Sequence, residues 1–148
     1  MKYILLVALC ALFSFNCYAQ NLSTEQVEEY YQLFFDGGVK VEMQNWEKDS
    51  LELSSGHYYS FAENNAMNIS SPNMILGFLI GKGLKIEEAW YRKNENSCGR
   101  MMVMVPSSLL IKASDDSQTD IFEKLGFKKS TNPSVGMCPY LVTHYIFE

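Results

Sequence analysis

The first 19 residues constrain the fold most, because they decide how much of the chain folds and in which compartment. Lys2 supplies a positive charge, and the run from Tyr3 to Phe15 is apolar and uncharged. A membrane-spanning helix needs about 20 apolar residues, so this run has instead the length of a signal-peptide core. Cys17-Tyr18-Ala19 then gives the small-large-small pattern that signal peptidase reads. We therefore expect a cleaved signal peptide at residues 1–19 and a single domain at residues 20–148.

Two alternatives to cleavage after Ala19 are considered. A bacterial lipoprotein needs a small residue before its modified cysteine, whereas Asn16 precedes Cys17 and Leu9 precedes Cys10. An uncleaved anchor or a buried N-terminal helix would need a longer apolar run, and polar sequence follows this one at once. We therefore expect an exported protein of the periplasm or the cell exterior, with no stable membrane anchor after cleavage.

The charge of the mature chain limits its partners. Loss of Lys2 with the signal peptide leaves 11 basic and 17 acidic residues, a net charge of −6. Nucleic acids and anionic lipids are bound by basic patches. The composition therefore argues against both and favours another protein, of basic character, as the partner.

Two cysteines, Cys98 and Cys138, remain after cleavage. In an oxidising compartment such a pair is typical of a disulfide, and closing a loop of this length stabilises by about 4 kcal/mol. The alternative is a reactive Cys98 with a histidine base, but no thiol-hydrolase motif surrounds it. We expect no metal site, since C-x-x-C and H-x-x-x-H spacings are absent.

The mature chain begins with a strong helix signal. Ser23 and Gln26 match a capping box, and Gly37-Gly38 is a typical helix stop. Apolar residues recur at helical spacing between these signals, namely Val27, Tyr30, Tyr31 and Phe34. The pattern predicts a helix over residues 24–36 that packs this stripe on a sheet.

Further elements follow in an irregular order. Alternating, aromatic or β-branched runs predict strands at 39–43, 51–53, 56–62, 85–93, 101–105, 108–113 and 140–147, with a helix extension as the alternative at 85–93. Ser71-Pro72 begins an apolar helix that Gly83 ends, and its Gly77 and Gly81 indicate close packing on a sheet. Ser117 is the predicted cap of a short third helix. The expected fold is therefore α+β: a mostly antiparallel sheet packed by three helices and stapled by one disulfide.

The string FEKLGFKK, residues 122–129, is similar to the helix-to-strand corner of GNAT acetyltransferases. That family's glycine-rich pyrophosphate loop before a long helix is absent, because Ile80-Gly81-Lys82-Gly83 lacks its full spacing. We therefore set the family aside and expect no cofactor. The string is explained structurally: Leu125 packs, Gly126 ends a helix, and Phe127 makes the hydrophobic contact that follows.

The candidate functional residues are histidines and aromatics. His57 and His144 are the two histidines, and neither lies in a nucleophile elbow or an H-E-x-x-H motif. Adjacent aromatic pairs on strands must point to opposite faces, so half of each pair could face out. The aromatic residues Tyr58, Tyr59, Trp90 and Tyr91 are therefore the candidate binding surface.

These observations favour an exported, non-enzymatic binding protein, such as an inhibitor or an immunity protein against a basic enzyme that acts in the cell envelope. The alternative is a small envelope hydrolase that uses His57 or His144 with a carboxylate or with Cys98. A structural or assembly subunit is a third hypothesis that no specific residue supports. No catalytic motif selects the enzyme, so catalytic residues are not assigned.

Overall fold

The computed structural model describes residues 22–45, 53–62, 71–93, 107–133 and 141–148. Their elements are α1 (Thr24–Asp36), β1 (Lys40–Asn45), β2 (His57–Ala62), α2 (Pro72–Gly81), β3 (Ile86–Arg92), β4 (Ser108–Ala113), α3 (Thr119–Lys124), β5 (Lys128–Ser130) and β6 (Leu141–Ile146). The six strands form one sheet in the order β1-β6-β3-β4-β2-β5, and all neighbours are antiparallel. The prediction of an α+β domain with a mostly antiparallel sheet and three helices is confirmed.

The capping residues of α1 behave as predicted. The Gln26 backbone N–H donates to Ser23 Oγ at 3.3 Å, and the Ser23 N–H donates to Gln26 Oε1 at 3.0 Å. The helix ends where Gly38 adopts a φ of 64°, a conformation that glycine tolerates better than other residues. The turn through Gly37 and Gly38 leads directly into β1.

The helices cover one face of the sheet and enclose the main core. α1 lies over β6, where the Phe34 and Tyr145 rings meet edge to face at 5.7 Å. α3 lies over β2, where Phe122 stacks on Tyr59 with ring centroids 4.1 Å apart. α2 contributes buried residues throughout its length to the same core: Ile75, Leu76, Phe78 and Leu79. This face of the sheet is called the helix face below.

The glycines of α2 face α1. A Cβ atom at Gly77 would lie 1.8 Å from the carbonyl oxygen of Tyr30, and one at Gly81 would lie 3.1 Å from Leu33 Cδ1. The prediction that these glycines pack α2 on the sheet is therefore wrong. They allow close approach between two helices, and the rings of Tyr30 and Phe78 meet edge to face beside the contact at 5.2 Å.

The cap of α3 differs from the prediction. Gln118 is the N-cap residue and makes no side-chain capping bond. The prediction that Ser117 caps α3 is wrong. The Ser117 hydroxyl and N–H both donate to the nearby Asp115 carboxylate instead. The end of α3 follows the prediction: Gly126 has a φ of 90°, and the Phe127 N–H donates to the Phe122 carbonyl at 3.0 Å.

Several predictions fall outside the described residues or were not made. The signal peptide, the cysteines Cys98 and Cys138, and the predicted strand at 101–105 lie outside them. Of the predicted strand at 51–53, Leu53 alone is described, and it packs against the second face of the sheet. The short strand β5 was not predicted. No helix within the described ranges is long and apolar enough to cross a membrane.

Candidate functional site

The predicted aromatic surface is divided between the two faces of the sheet. Tyr58 and Trp90 lie on the second face, opposite the helices, with ring centroids 6.1 Å apart. Tyr59 belongs to the core on the helix face, and Tyr91 packs partly buried against it. Tyr58, Tyr59 and Trp90 are each at most 4% exposed. The structure therefore brings Tyr58 and Trp90 together, and three of the four residues lie in the protein interior.

His144 lies on the second face among buried side chains. Its ring stacks on Trp90 with centroids 4.8 Å apart and planes 7° apart. Its Nε2 lies 2.8 Å from Glu88 Oε2, and its Nδ1 has no hydrogen-bond partner among the described residues. A histidine and a carboxylate in this geometry could exchange a proton. The His144 side chain is 7% exposed, so burial keeps substrate-sized molecules away from the pair.

Lys112 lies between the His144–Glu88 pair and the end of the sheet. Its Nζ lies 2.8 Å from Glu87 Oε2 and 3.5 Å from Glu88 Oε1. The hydrogen bond to Glu87 raises the pKa of Lys112 above its ordinary value, so the ammonium form is favoured. The stem of the lysine passes over Gly56, where a Cβ atom would lie 2.7 Å from Lys112 Cε. Glycine at that position leaves the space that the lysine occupies.

An open polar cleft of about 530 Å³ lies at the same end of the sheet. Its lining residues are Ser55, Gly56, His57, Glu87, Lys112, Ala113 and Ser114. His57 Nδ1 lies 3.7 Å from Asp116 Oδ2, and Lys129 Nζ lies 2.8 Å from the same oxygen. The hydrogen bond from Lys129 lowers the pKa of Asp116. The two histidines thus occupy different environments, His57 in an open cleft and His144 in the interior.

A group of exposed apolar side chains lies at the edge of the sheet formed by β1. Phe35 is 62%, Val41 52%, Met43 64% and Leu141 60% exposed. We call these four residues the edge patch. Val41 and Met43 are opposite Tyr145 and Thr143 of β6, on the helix face. The Thr143 hydroxyl donates to Met43 Sδ at 3.6 Å, which holds the methionine beside β6.

The edge patch is exposed because α1 covers β6 and does not reach over β1. Phe34 is 1% exposed and fills the space between helix and sheet, whereas Phe35 is left outside. Leu33 faces α2 near Gly81. Phe35 is about 200° around the helix from Leu33, so it lies on the side of α1 turned away from α2.

The helix that contributes Phe35 to the edge patch is acidic. α1 carries four exposed carboxylates and no basic residue: Glu25, Glu28, Glu29 and Asp36. Glu148 is also exposed, and its Cβ lies 3.8 Å from the position of a Cβ at Gly38. On β1 itself, Lys40 and Glu42 form an ion pair at 2.5 Å. The exposed surface of α1 is therefore negatively charged, and the Lys40–Glu42 pair on β1 is neutral.

Comparison of the chain with protein families, with curated proteins and with solved structures found no match in any of the three. No cluster of three metal-ligating side chains occurs among the residues that the structure describes. The cleft and the edge patch are therefore the candidate functional features of the described residues.

The edge patch is the feature that sequence reasoning missed. Phe35 follows Phe34 directly, and adjacent residues of a helix cannot both face one core. Phe35 also falls outside the predicted apolar stripe, so its exposure could have been read from the sequence. Val41 and Met43 alternate as a half-buried strand does, and their exposure depends on the position of β1 in the sheet.

Proposed function

We propose that this chain is an exported, non-enzymatic protein that binds a basic protein, as an inhibitor or immunity protein against a basic enzyme acting in the cell envelope. The edge patch is the observation that carries the proposal. Apolar side chains on a protein surface are usually scattered, whereas a contiguous group with a polar rim is typical of a protein contact site. Four exposed apolar side chains lie on α1, β1 and β6, the elements at this edge of the sheet.

The shape and charge of this region support a protein as the ligand. A sheet edge beside a helix is an open surface, whereas small molecules bind in concave pockets. The helix α1, which contributes Phe35 to the patch, carries four carboxylates and no basic residue, and the chain as a whole has a net charge of −5. Complementary charge would speed encounter with a basic partner and would disfavour acidic competitors.

The proposed compartment rests on the signal-peptide pattern of residues 1–19. The proposed Cys98–Cys138 disulfide depends on the same export, because it needs an oxidising compartment. We predict that exported protein begins at Gln20 and contains no free thiol. Alkylation without reductant followed by intact mass measurement checks both points. A mass that shows two alkylated thiols would contradict the disulfide, and a lipid on Cys17 would contradict the cleavage site.

The binding proposal is tested with two surface variants of the exported protein in its native host. Met43→Glu places a charge in the edge patch, and Ile121→Glu places one on α3, where Ile121 is 37% exposed outside the patch. Tagged wild-type protein should retain one basic protein that the Met43→Glu variant loses and the Ile121→Glu variant keeps. Equal retention by both variants, or an acidic protein in place of a basic one, would contradict the proposal.

A small hydrolase that uses His57 is the second candidate, because His57 faces an open cleft and lies near Asp116. Asp116 Oδ2 is 3.7 Å from the imidazole, and Ser55 and Ser114 line the same cleft. The test is hydrolysis of ester and peptidoglycan substrates by the wild type, by His57→Gln and by His144→Gln. Activity lost in the His57→Gln variant and retained in the other would favour the enzyme; identical background rates in all three proteins would exclude it.

A further inference from the structure

We propose that the partner binds by adding a strand to β1, with its backbone paired to the edge that no other described strand occupies and its apolar side chains on the edge patch. This inference rests on the proposed function, since it specifies how the same surface is recognised. Addition of an extended segment to a sheet edge is a recurrent mode of protein recognition, in which backbone hydrogen bonds provide affinity and alternate side chains provide specificity.

The hydrogen bonding of β6 shows which residues of β1 face outward. The Phe147 N–H donates to the Glu87 carbonyl at 2.9 Å, so the backbone of Phe147 faces β3. Successive residues of a strand alternate in direction, so Ile146 and His144 face β1. Their partners Lys40 and Glu42 therefore face β6. The N–H and C=O groups of Val41, Met43 and Asn45 consequently face away from the sheet.

The outward backbone groups belong to residues that also expose apolar side chains. Val41 and Met43 are 52% and 64% exposed, so an added strand would gain both backbone pairing and apolar contact at the same positions. β1 pairs with β6 over six residues without a register shift, and β1 contains neither proline nor glycine. Bulges, prolines, lysines and very short strands are the usual means of blocking such an edge. Of these, β1 has one lysine, Lys40, which is paired with Glu42.

The occupant is an extended segment of a basic protein, with apolar residues at alternate positions and lysine or arginine among the others. The apolar residues would meet Val41 and Met43 on the helix face, and the cations, which alternate with them, would lie on the second face with Lys40 and Glu42. A second copy of this chain is less suitable. Antiparallel pairing that places Val41 opposite the second copy's Met43 also places Glu42 opposite its equivalent, and like charges directly opposite are destabilising.

Amide hydrogen exchange of the full mature chain tests the proposal, with a short peptide of alternating lysine and valine as the probe. In the free protein, the outward amides of Val41 and Met43 should exchange faster than the inward amides of Lys40 and Glu42. Saturating peptide should slow exchange at Val41 and Met43 by about tenfold or more. A matched peptide with glutamate in place of lysine should give no protection.

Other outcomes overturn specific parts of the proposal. If the peptide shifts the NMR signal of the Met43 methyl group but slows exchange at neither the Val41 nor the Met43 amide, strand addition is excluded. The proposed function is not affected by that result. A peptide without effect on the patch would exclude strand addition, while the retention experiment with Met43→Glu decides the proposed function separately. Protection that rises with protein concentration in the absence of peptide would assign the edge to a second copy. Equal protection by the glutamate peptide would exclude a basic partner.

Discussion

The two edges of the sheet, β1 and β5, differ in length, charge and cover. β5 has three residues, Lys128–Ser130, and β2 is its one partner among the described strands. Both of its lysines are exposed, and Lys129 is held by Asp116 at 2.8 Å. β1 has six residues and exposes Val41 and Met43 on the side where α1 leaves it uncovered.

The difference shows that edge protection in this domain is selective. Short length and lysine side chains are common devices that prevent a strand edge from pairing with another chain, and β5 has both. β1 has a single lysine, which Glu42 neutralises at 2.5 Å. Among the described strands the fold therefore protects the edge at β5 more fully than the edge at β1, and strand addition at β1 is our proposal for this difference.

The first prediction breaks the contact that sets where α1 lies over β6. Gly77→Ala would place a Cβ 1.8 Å from the Tyr30 carbonyl oxygen, so the helices must separate. We expect a loss of about 5 kcal/mol in the free energy of unfolding, or failure to fold. Gly81→Ala is the control, because its nearest neighbour is the flexible end of Leu33 at 3.1 Å. Chemical denaturation of both variants provides the measurement, and equal losses would contradict the account.

The second prediction separates the covered from the uncovered phenylalanine. Phe34→Ala removes a side chain that is 1% exposed and should cost about 3 to 5 kcal/mol. Phe35→Ala removes one that is 62% exposed and should cost less than about 1 kcal/mol. Thermal melts compare the two. A larger loss for the Phe35 variant would show that the edge patch belongs to the core.

The third prediction tests the direction of the backbone in β1. Glu42→Pro removes an N–H that faces β6 and should destabilise by about 2 to 3 kcal/mol, because a carbonyl of β6 loses its donor. Met43→Pro removes an outward N–H and should cost about 1 kcal/mol through backbone strain alone. Urea unfolding distinguishes them. The reverse order would mean that the outward residues of β1 are assigned to the wrong side.

The fourth prediction concerns Tyr145, which lies opposite the exposed Val41 but beneath α1. Burial raises the pKa of its phenol to about 12 from an ordinary value of 10.0. The folded state therefore holds this proton more tightly, so the contribution to stability is complete below pH 10 and is lost as the pH rises toward 12. We expect a loss of about 1 kcal/mol by pH 11.

Tyr145→Phe is the control for this effect, since it keeps the ring and removes the proton. The stability of the variant should fall less between pH 10 and 11 than that of the wild type. An identical decline in both proteins would assign the pH dependence to other groups, of which Lys112 is one whose pKa is raised.

Local features of the fold were predictable where the signal lies within a few residues. The capping box of α1, the apolar run of α2 and the glycine stop of α3 each occur within one segment, and each was predicted. The predicted cap at Ser117 was wrong because Asp115 competes for its hydroxyl. β5 escaped prediction because three residues, two of them lysines, produce no apolar alternation.

The site was less predictable because it depends on contacts between distant segments. Alternation shows which residues of a strand share a face, but it does not show which strand lies at the edge. The pairing of β1 with β6, the first described strand with the last, leaves Val41 and Met43 exposed. The partners His144 and Glu88 are likewise 56 residues apart, and no local pattern joins them.

The most direct test of the central claim compares partner contact at the two edges. A photo-crosslinking residue, p-benzoylphenylalanine, is placed at Met43 on β1 in one variant and at Lys129 on β5 in another. Both positions are exposed, so both variants should fold. After irradiation in the native host, the account predicts a crosslinked product with one basic protein from the Met43 position and none from Lys129. Equal crosslinking from both edges, or crosslinking from β5 alone, would contradict it.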